Sequence, residues 1–304
     1  MSVIDISNVQ IINDDTLIIH VDLSKNVTET WGYSFDDASW NEVTDISGLT
    51  DISQNIDLSN LNAGDHTIYV ALFDANMDLI SSTIKSRLID HTKPTLNNLS
   101  IYSNNSNNTL AKVDDEISLD FSSNEVIQSP TVTIAGESAD ISGSGQNWKA
   151  TLSVDSSTTE GVAAYNIVFK DLIGNTGTNV SSGASGSVTV DRSGPKITIS
   201  VAEVSDGSSS NSATFAVTFT SDEPTTNFAA EDIIWGNGNF SAWNASSASI
   251  YTATFTPIAE GTCTINIPIN KFTDAAGNGN VASDQYSWTY DNTAPTISGV
   301  TLAT

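Results

Sequence analysis

Hydrophobic and polar residues alternate along this chain in short runs. Ala213–Thr220 has a period of two, and so do Thr131–Ile134, Thr252–Thr256 and Ser187–Val190. That period sends successive side chains to opposite faces, as in a strand with one buried side. Turn residues interrupt the runs, as in Ser142–Gln146 and Gly236–Asn239, at a spacing of about 8 to 12 positions. No segment of helical length keeps a 3.6-residue period, although Asn227–Ile233 has room for one short helical turn. The class is all-β, and about seven short strands per hundred residues make a two-sheet sandwich.

A longer period lies over the short one. Asp90-His91-Thr92-Lys93-Pro94, Asp191-Arg192-Ser193-Gly194-Pro195 and Asp291-Asn292-Thr293-Ala294-Pro295 repeat one pattern, with the prolines 101 and 100 residues apart. Such a period marks tandem units, and the repeated motif marks their joints. The division is 1–91, 92–192 and 193–293, with 294–304 as the first strand of a following repeat or an exposed tail. Leu119–Glu125 aligns with Val217–Glu223, and Phe169–Asn175 aligns with Phe272–Asn278. Unit one keeps only an echo at Leu72–Asp78 and carries a Trp31–Trp40 stretch that the others lack. It is the divergent end of an array that reads as a piece of something longer.

Charge narrows the partners. Ten Lys and Arg face 36 Asp and Glu, for a net charge of −26. Nucleic acid and anionic membrane surfaces are poor partners for such a chain, while cations are good ones. The hydrophobic share of 38%, placed in alternating runs, argues against disorder. The single cysteine, Cys263, lies in such a run and reads as a small buried hydrophobe. No apolar run is long enough to span a membrane.

Leu110–Phe121, Val132–Gly136, Asn147–Thr151 and Phe169–Asn175 resemble the tandem bacterial immunoglobulin-like repeats of large surface proteins and adhesins. Tyr251–Pro257 and Asp274–Asn278 resemble a sister type of the same repeats. The likeness is good over 92–293 and weak over 1–91. It implies three tandem immunoglobulin-like β-sandwich domains in an elongated array. It also implies extender or binding modules of adhesins, surface layers or phage fibres, often with calcium at the joints.

The residues support a cation independently. In an antiparallel sandwich the chain reverses at each strand, so the entry linker, the loop after the second strand and the penultimate loop share one end. That end gathers Asp90, Thr92, Glu125, Asp171 and Asn175 at one joint. It gathers Asp191, Ser193, Asp222, Glu223, Asp274 and Asn278 at the next. Clustered carboxylates repel unless a cation sits among them. Hard oxygen donors without His or Cys suit Ca²⁺. The plainer reading is a tight turn, because Asp caps its own backbone and Gly and Asn tolerate positive φ. Recurrence of all three motifs in register favours calcium.

Other chemistry is thin. Trp31, Trp40, Trp148, Trp235, Trp243 and Trp288 are candidates for stacking on sugars. Trp148 and Trp288 sit in strand-like runs and read as core, while Trp235 and Trp243 read as packing or loop anchors. His20, His66 and His91 are scattered, and no nucleophile elbow, zinc helix or phosphate loop occurs. The expectation is a non-enzymatic, extracellular or cell-surface array, calcium-stiffened at its joints. Its partners are further repeats of the same chain or identical subunits. Alternatives are a recognition module that binds glycan or receptor through unit one, or a subunit of a self-assembling coat, fibre or virion.

Overall fold

The computed structural model describes residues 4–13, 16–23, 30–36, 41–43, 51–57, 61–73, 79–297 and 299. Asp74, Asn76, Asp78 and Trp40, which the sequence reading singled out, lie outside the described residues, as does most of the tail after Pro295. Among the described residues the chain is all-β, with one 3₁₀ turn at Ala230–Asp232, inside the stretch where the sequence left room for it.

Residues 4–89 form two antiparallel sheets. Strands Asn41–Val43, Thr30–Phe35, Gly64–Phe73 and Leu79–Ile89 make one, in that order. Ile4–Asn13, Thr16–Leu23 and Asp51–Asp57 make the other.

In residues 96–190 a four-stranded sheet runs Asp140–Ser144, Asn147–Ser153, Glu116–Ser123, Leu96–Ser103. Its inward residues Ile117, Leu119, Phe121, Ala150 and Leu152 share one buried cluster with Val132, Ile134 and Ile167 of a second sheet. Residues 197–290 repeat the plan. Ile197–Val201, Phe215–Ser221, Ile250–Pro257 and Gly238–Ala245 oppose Ser209–Ser210, Tyr286–Tyr290, Gly261–Asn266 and Ile234–Gly236. Phe215, Phe219, Phe255 and Trp288 fill that core at 0–1% exposure. Burial alternates along Phe215–Ser221, as the two-residue period requires. Cys263 is fully buried in the same core.

Both sandwiches contain parallel pairings, including the single bridges Ser100–Ser185 and Lys196–Val281. Thr189–Val190 runs parallel to Leu110–Ala111, and Ser209–Ser210 runs parallel to Thr289–Tyr290. The cause is that the entry strand breaks at a turn. Leu96–Ser103 pairs with Glu116–Ser123, and Leu110–Ala111 then crosses to the opposite sheet beside the exit strand. The expected strand at Ser187–Val190 accordingly shrinks to Thr189–Val190.

Candidate metal centres

Two loops of the same design stand at the ends of these sandwiches. In Asp171–Asn175, Asp171 Oδ1 accepts the N–H groups of Ile173 at 2.8 Å, Gly174 at 2.6 Å and Asn175 at 2.9 Å. Asn175 Nδ2 donates to Asp171 Oδ2 and to the Asp90 carbonyl, each at 2.7 Å. Asp274 repeats this with the N–H groups of Gly277 at 2.7 Å and Asn278 at 2.8 Å. Asn278 Nδ2 donates to Asp274 Oδ2 at 2.8 Å and to the Asp191 carbonyl at 2.9 Å. Gly174 and Gly277 close the turns at φ 121° and 89°, where a side chain would be strained. The tight-turn reading is therefore correct in its own right. It also explains how Asp171 and Asp274 are held at 2–3% exposure with their carboxylates fixed beside the linker.

Each turn meets a linker aspartate and a strand-end glutamate. One carboxylate oxygen from each of Asp90, Glu125 and Asp171 lies within 4.8 Å of the others, and the same holds for Asp191, Glu223 and Asp274. Among the described residues no Lys or Arg forms an ion pair with any of the six. Glu125 Oε1 is buried and has no hydrogen-bond partner. A buried acceptor left open is costly unless something fills it.

Protons feel the same crowding. Burial, then the Asp90 and Asp171 charges, push the Glu125 carboxyl above its usual value. Burial and Asp274 raise Asp191. Glu223 is pushed from 4.5 to about 7, first by burial and then by Asp191, Asp274, Asp222 and Glu160.

The remaining candidates are positioners. Thr92 and Ser193 donate their backbone N–H to Asp90 Oδ1 at 2.8 Å and Asp191 Oδ1 at 3.3 Å. Asp222 Oδ1 caps the Lys196 N–H at 2.8 Å. Asn175 and Asn278 tie loop to linker. Glu160 escaped the sequence reading. Its Oε1 accepts from Ser193 Oγ at 2.9 Å and Arg192 N at 3.1 Å. The legible signal was its recurrence as Glu260, which receives Thr293 Oγ1 at 2.6 Å and Asn292 N at 3.0 Å. Asn105 was also missed; its Nδ2 donates to the Ala276 carbonyl at 2.9 Å, tying the 96–190 stretch to the Asp274 loop.

The tryptophans behave as packing. Trp288 is 1% exposed, and Trp148 lies half-buried against the core with its Nε1 donating to the Gly145 carbonyl. Trp243 stacks on Tyr251, and Trp235, 39% exposed, is anchored to the Gly238 carbonyl. A groove of about 400 Å³ on the middle segment, floored by Asp120, Asn147 and Lys149, contains none of the clustered carboxylates.

The turn, linker and strand-end motifs converge in the last sandwich, over Asp191, Glu223 and Asp274. Residues 191–290 match the bacterial Ig-like domain family. The matched stretch includes Asp191, Glu223 and Asp274. No curated protein matches the chain in sequence. Similar solved structures include the Bacteroides ovatus mixed-linkage glucan utilization protein SGBP-B in complex with a heptasaccharide, at 13% identity and TM-score 0.20, covering 91% of this chain and 64% of that one. Invasin, a bacterial integrin-binding protein, is 10% identical with TM-score 0.31, over 96% and 60% of the two chains. The D00-D0 domain of intimin is 14% identical with TM-score 0.31, over 63% and 99%. The chain thus spans less than two thirds of the glucan-utilization protein and of invasin.

Proposed function

We propose that this chain is a non-catalytic spacer of three tandem Ig-like sandwiches on a cell surface, divided at 91/92, 192/193 and 293/294 and stiffened by Ca²⁺ at its joints. The observation that carries this reading is the repeated cluster. Two linkers a repeat apart each bring together one linker aspartate, one strand-end glutamate and one loop aspartate. The donor set fits calcium, because it is all oxygen, highly charged and free of His or Cys. Asp90, Glu125 and Asp171 would hold one ion, and Asp191, Glu223 and Asp274 the other. Bound there, the ion supplies positive charge that ties a linker to the sandwich below it. A glycan- or receptor-binding role for the first segment turns on Trp31 and Trp40, and the Trp31 side chain and Trp40 lie outside the described residues.

Extracellular modules bind calcium with dissociation constants of about 10⁻⁴–10⁻³ M. Calcium at about 10 to 100 times that constant would add roughly 1.4–2.7 kcal/mol per site. Small-angle scattering and calorimetry in calcium and in chelator provide the test. The expected outcome is a longer, narrower particle and a higher melting temperature with calcium. Superimposable profiles in the two buffers would sink the calcium role.

A further inference from the structure

Sandwiches joined by one exposed linker swing about it by default. Between residues 96–190 and 197–290 a second attachment stands apart from the linker. The connection from Ser103 to Glu116 is held by its own bonds. Glu116 N–H donates to Asn104 Oδ1 at 2.8 Å, and Ser103 N–H donates to the Asn108 carbonyl at 3.0 Å. Within this connection the Asn105 side chain is fixed at both ends. Its Oδ1 accepts the Asn107 N–H at 3.0 Å, and its Nδ2 donates to Asp115 Oδ2 at 2.7 Å. Asp115 Oδ2 also accepts the Lys112 N–H at 2.8 Å. The other hydrogen of Asn105 Nδ2 leaves the connection and meets the Ala276 carbonyl at 2.9 Å.

The receiving surface is the Asp274 loop. Ala276 is 2% exposed but does not belong to the aromatic core of its own sandwich. Asn105 on its carbonyl and the Lys112 stem beside the next residue place the neighbouring sandwich over it; a side chain at Gly277 would meet that stem at 3.6 Å. The loop is itself fixed, because Asp274 Oδ1 accepts the Gly277 and Asn278 N–H groups. Both faces of the contact are therefore formed before they meet, which lowers the ordering cost of docking. The linker is seated on both sandwiches as well. On one side Arg192 Nη1 donates to the Ser156 carbonyl and Ser193 Oγ to Glu160 Oε1. On the other, Asn278 Nδ2 donates to the Asp191 carbonyl and Val281 N–H to the Pro195 carbonyl. A Cβ at Gly194 would stand 1.9 Å from the Gly279 carbonyl oxygen, so linker and sandwich touch there through their backbones.

We propose that Asn105, Asp115 and Ala276 form a clasp that fixes the angle between these two sandwiches without a bound ion. Two separated attachments remove the rotation that either one alone would leave. The contact is made by a side-chain amide and a backbone carbonyl, and none of the six clustered carboxylates donates or accepts in it. An ion among Asp191, Glu223 and Asp274 then adds stability to a joint already set, and the lengthening expected with calcium arises elsewhere in the chain.

Spin labels on the full chain test this. Ser142→Cys and Thr256→Cys supply one exposed strand position in each sandwich, and the native Cys263 is buried. Pulsed electron resonance then reads the angle as a distance between the labels. In chelator the chain should give one narrow distance. Asn105→Ala removes the donor, and Ala276→Ile adds bulk on the opposite side of the contact; each should broaden the distance distribution. Isoleucine already holds this place in the Asp171 loop, as Ile173, so the turn itself should accept it. The two substitutions lie in different sandwiches, so if one unfolds its own sandwich the other still gives the reading. A broad distribution in chelator that narrows only with CaCl₂ would overturn the clasp and leave the calcium reading intact. One narrow distance in all three chains would put the restraint in the linker alone and overturn the clasp as well.

Discussion

At the scale of single residues, Asp171 and Asp274 do two tasks with one carboxylate, capping a turn and facing a linker. The type and spacing of these residues were legible in the sequence, because Asp-x-x-Gly-Asn recurs in register with the linker motif. Glu160 was not, because its partners Arg192 and Ser193 lie more than thirty residues away and nothing local marks a glutamate before a strand as an acceptor. The roles of Asp222, Asn175 and Asn278 were also hidden, since only geometry separates a group that caps an N–H from one that faces its fellow carboxylates. Glu223 carries a pH prediction. Its carboxyl titrates near 4.5 in the unfolded chain and at about 7 in the folded one. Between those values the folded state binds more protons, so in chelator stability falls as pH rises from about 4.5 to about 7. Calcium competes for the ionised form and should flatten or reverse that slope. Melting curves across this range, with and without calcium, check it; a flat chelator profile would contradict the crowding at the second joint.

At the scale of elements, the period-two runs located the strands well. Thr131–Ile134 matched to the residue, and Thr252–Thr256 falls inside Ile250–Pro257. Alternation is a direct print of one-sided burial, so it survives in the sequence. The crossing of Leu110–Ala111 to the opposite sheet left no such print, because two-residue strands have no period to read. The core of residues 197–290 is unusually aromatic. Phe219 alone lies within 6.0 Å of the rings of Phe228, Phe240 and Trp243. Phe219→Ala should cost about 3–5 kcal/mol. The loss should be confined to residues 197–290, since the core around Phe121 has no member from that stretch. Hydrogen exchange of the variant distinguishes this from a loss of protection spread over both cores.

At the scale of the whole molecule, the net charge of −26 is concentrated in part in two carboxylate clusters, each beside one of the repeated Asp-x-Thr/Ser-x-Pro motifs. The parallel pairing of entry and exit strands has a mechanical consequence. Its bonds run from Thr189 N–H to the Thr109 carbonyl and from Asp191 N–H to the Ala111 carbonyl, both at 2.8 Å. In the next sandwich they run from Thr289 N–H to Ser208 and from Asp291 N–H to Ser210. Tension applied through the chain ends pulls two parallel neighbours in opposite directions. Their bonds then lie across the force and shear together, instead of opening one at a time like a zip. Thr189→Pro deletes one donor of this clamp. In a single-molecule stretching experiment it should lower the rupture force of the middle sandwich and leave that of its neighbour unchanged; equal forces before and after the substitution would locate the resistance elsewhere. Because the clamp's last donor belongs to Asp191, tension reaching it passes through the same residue that faces the second cluster, so a cation bound there would feel the pull directly.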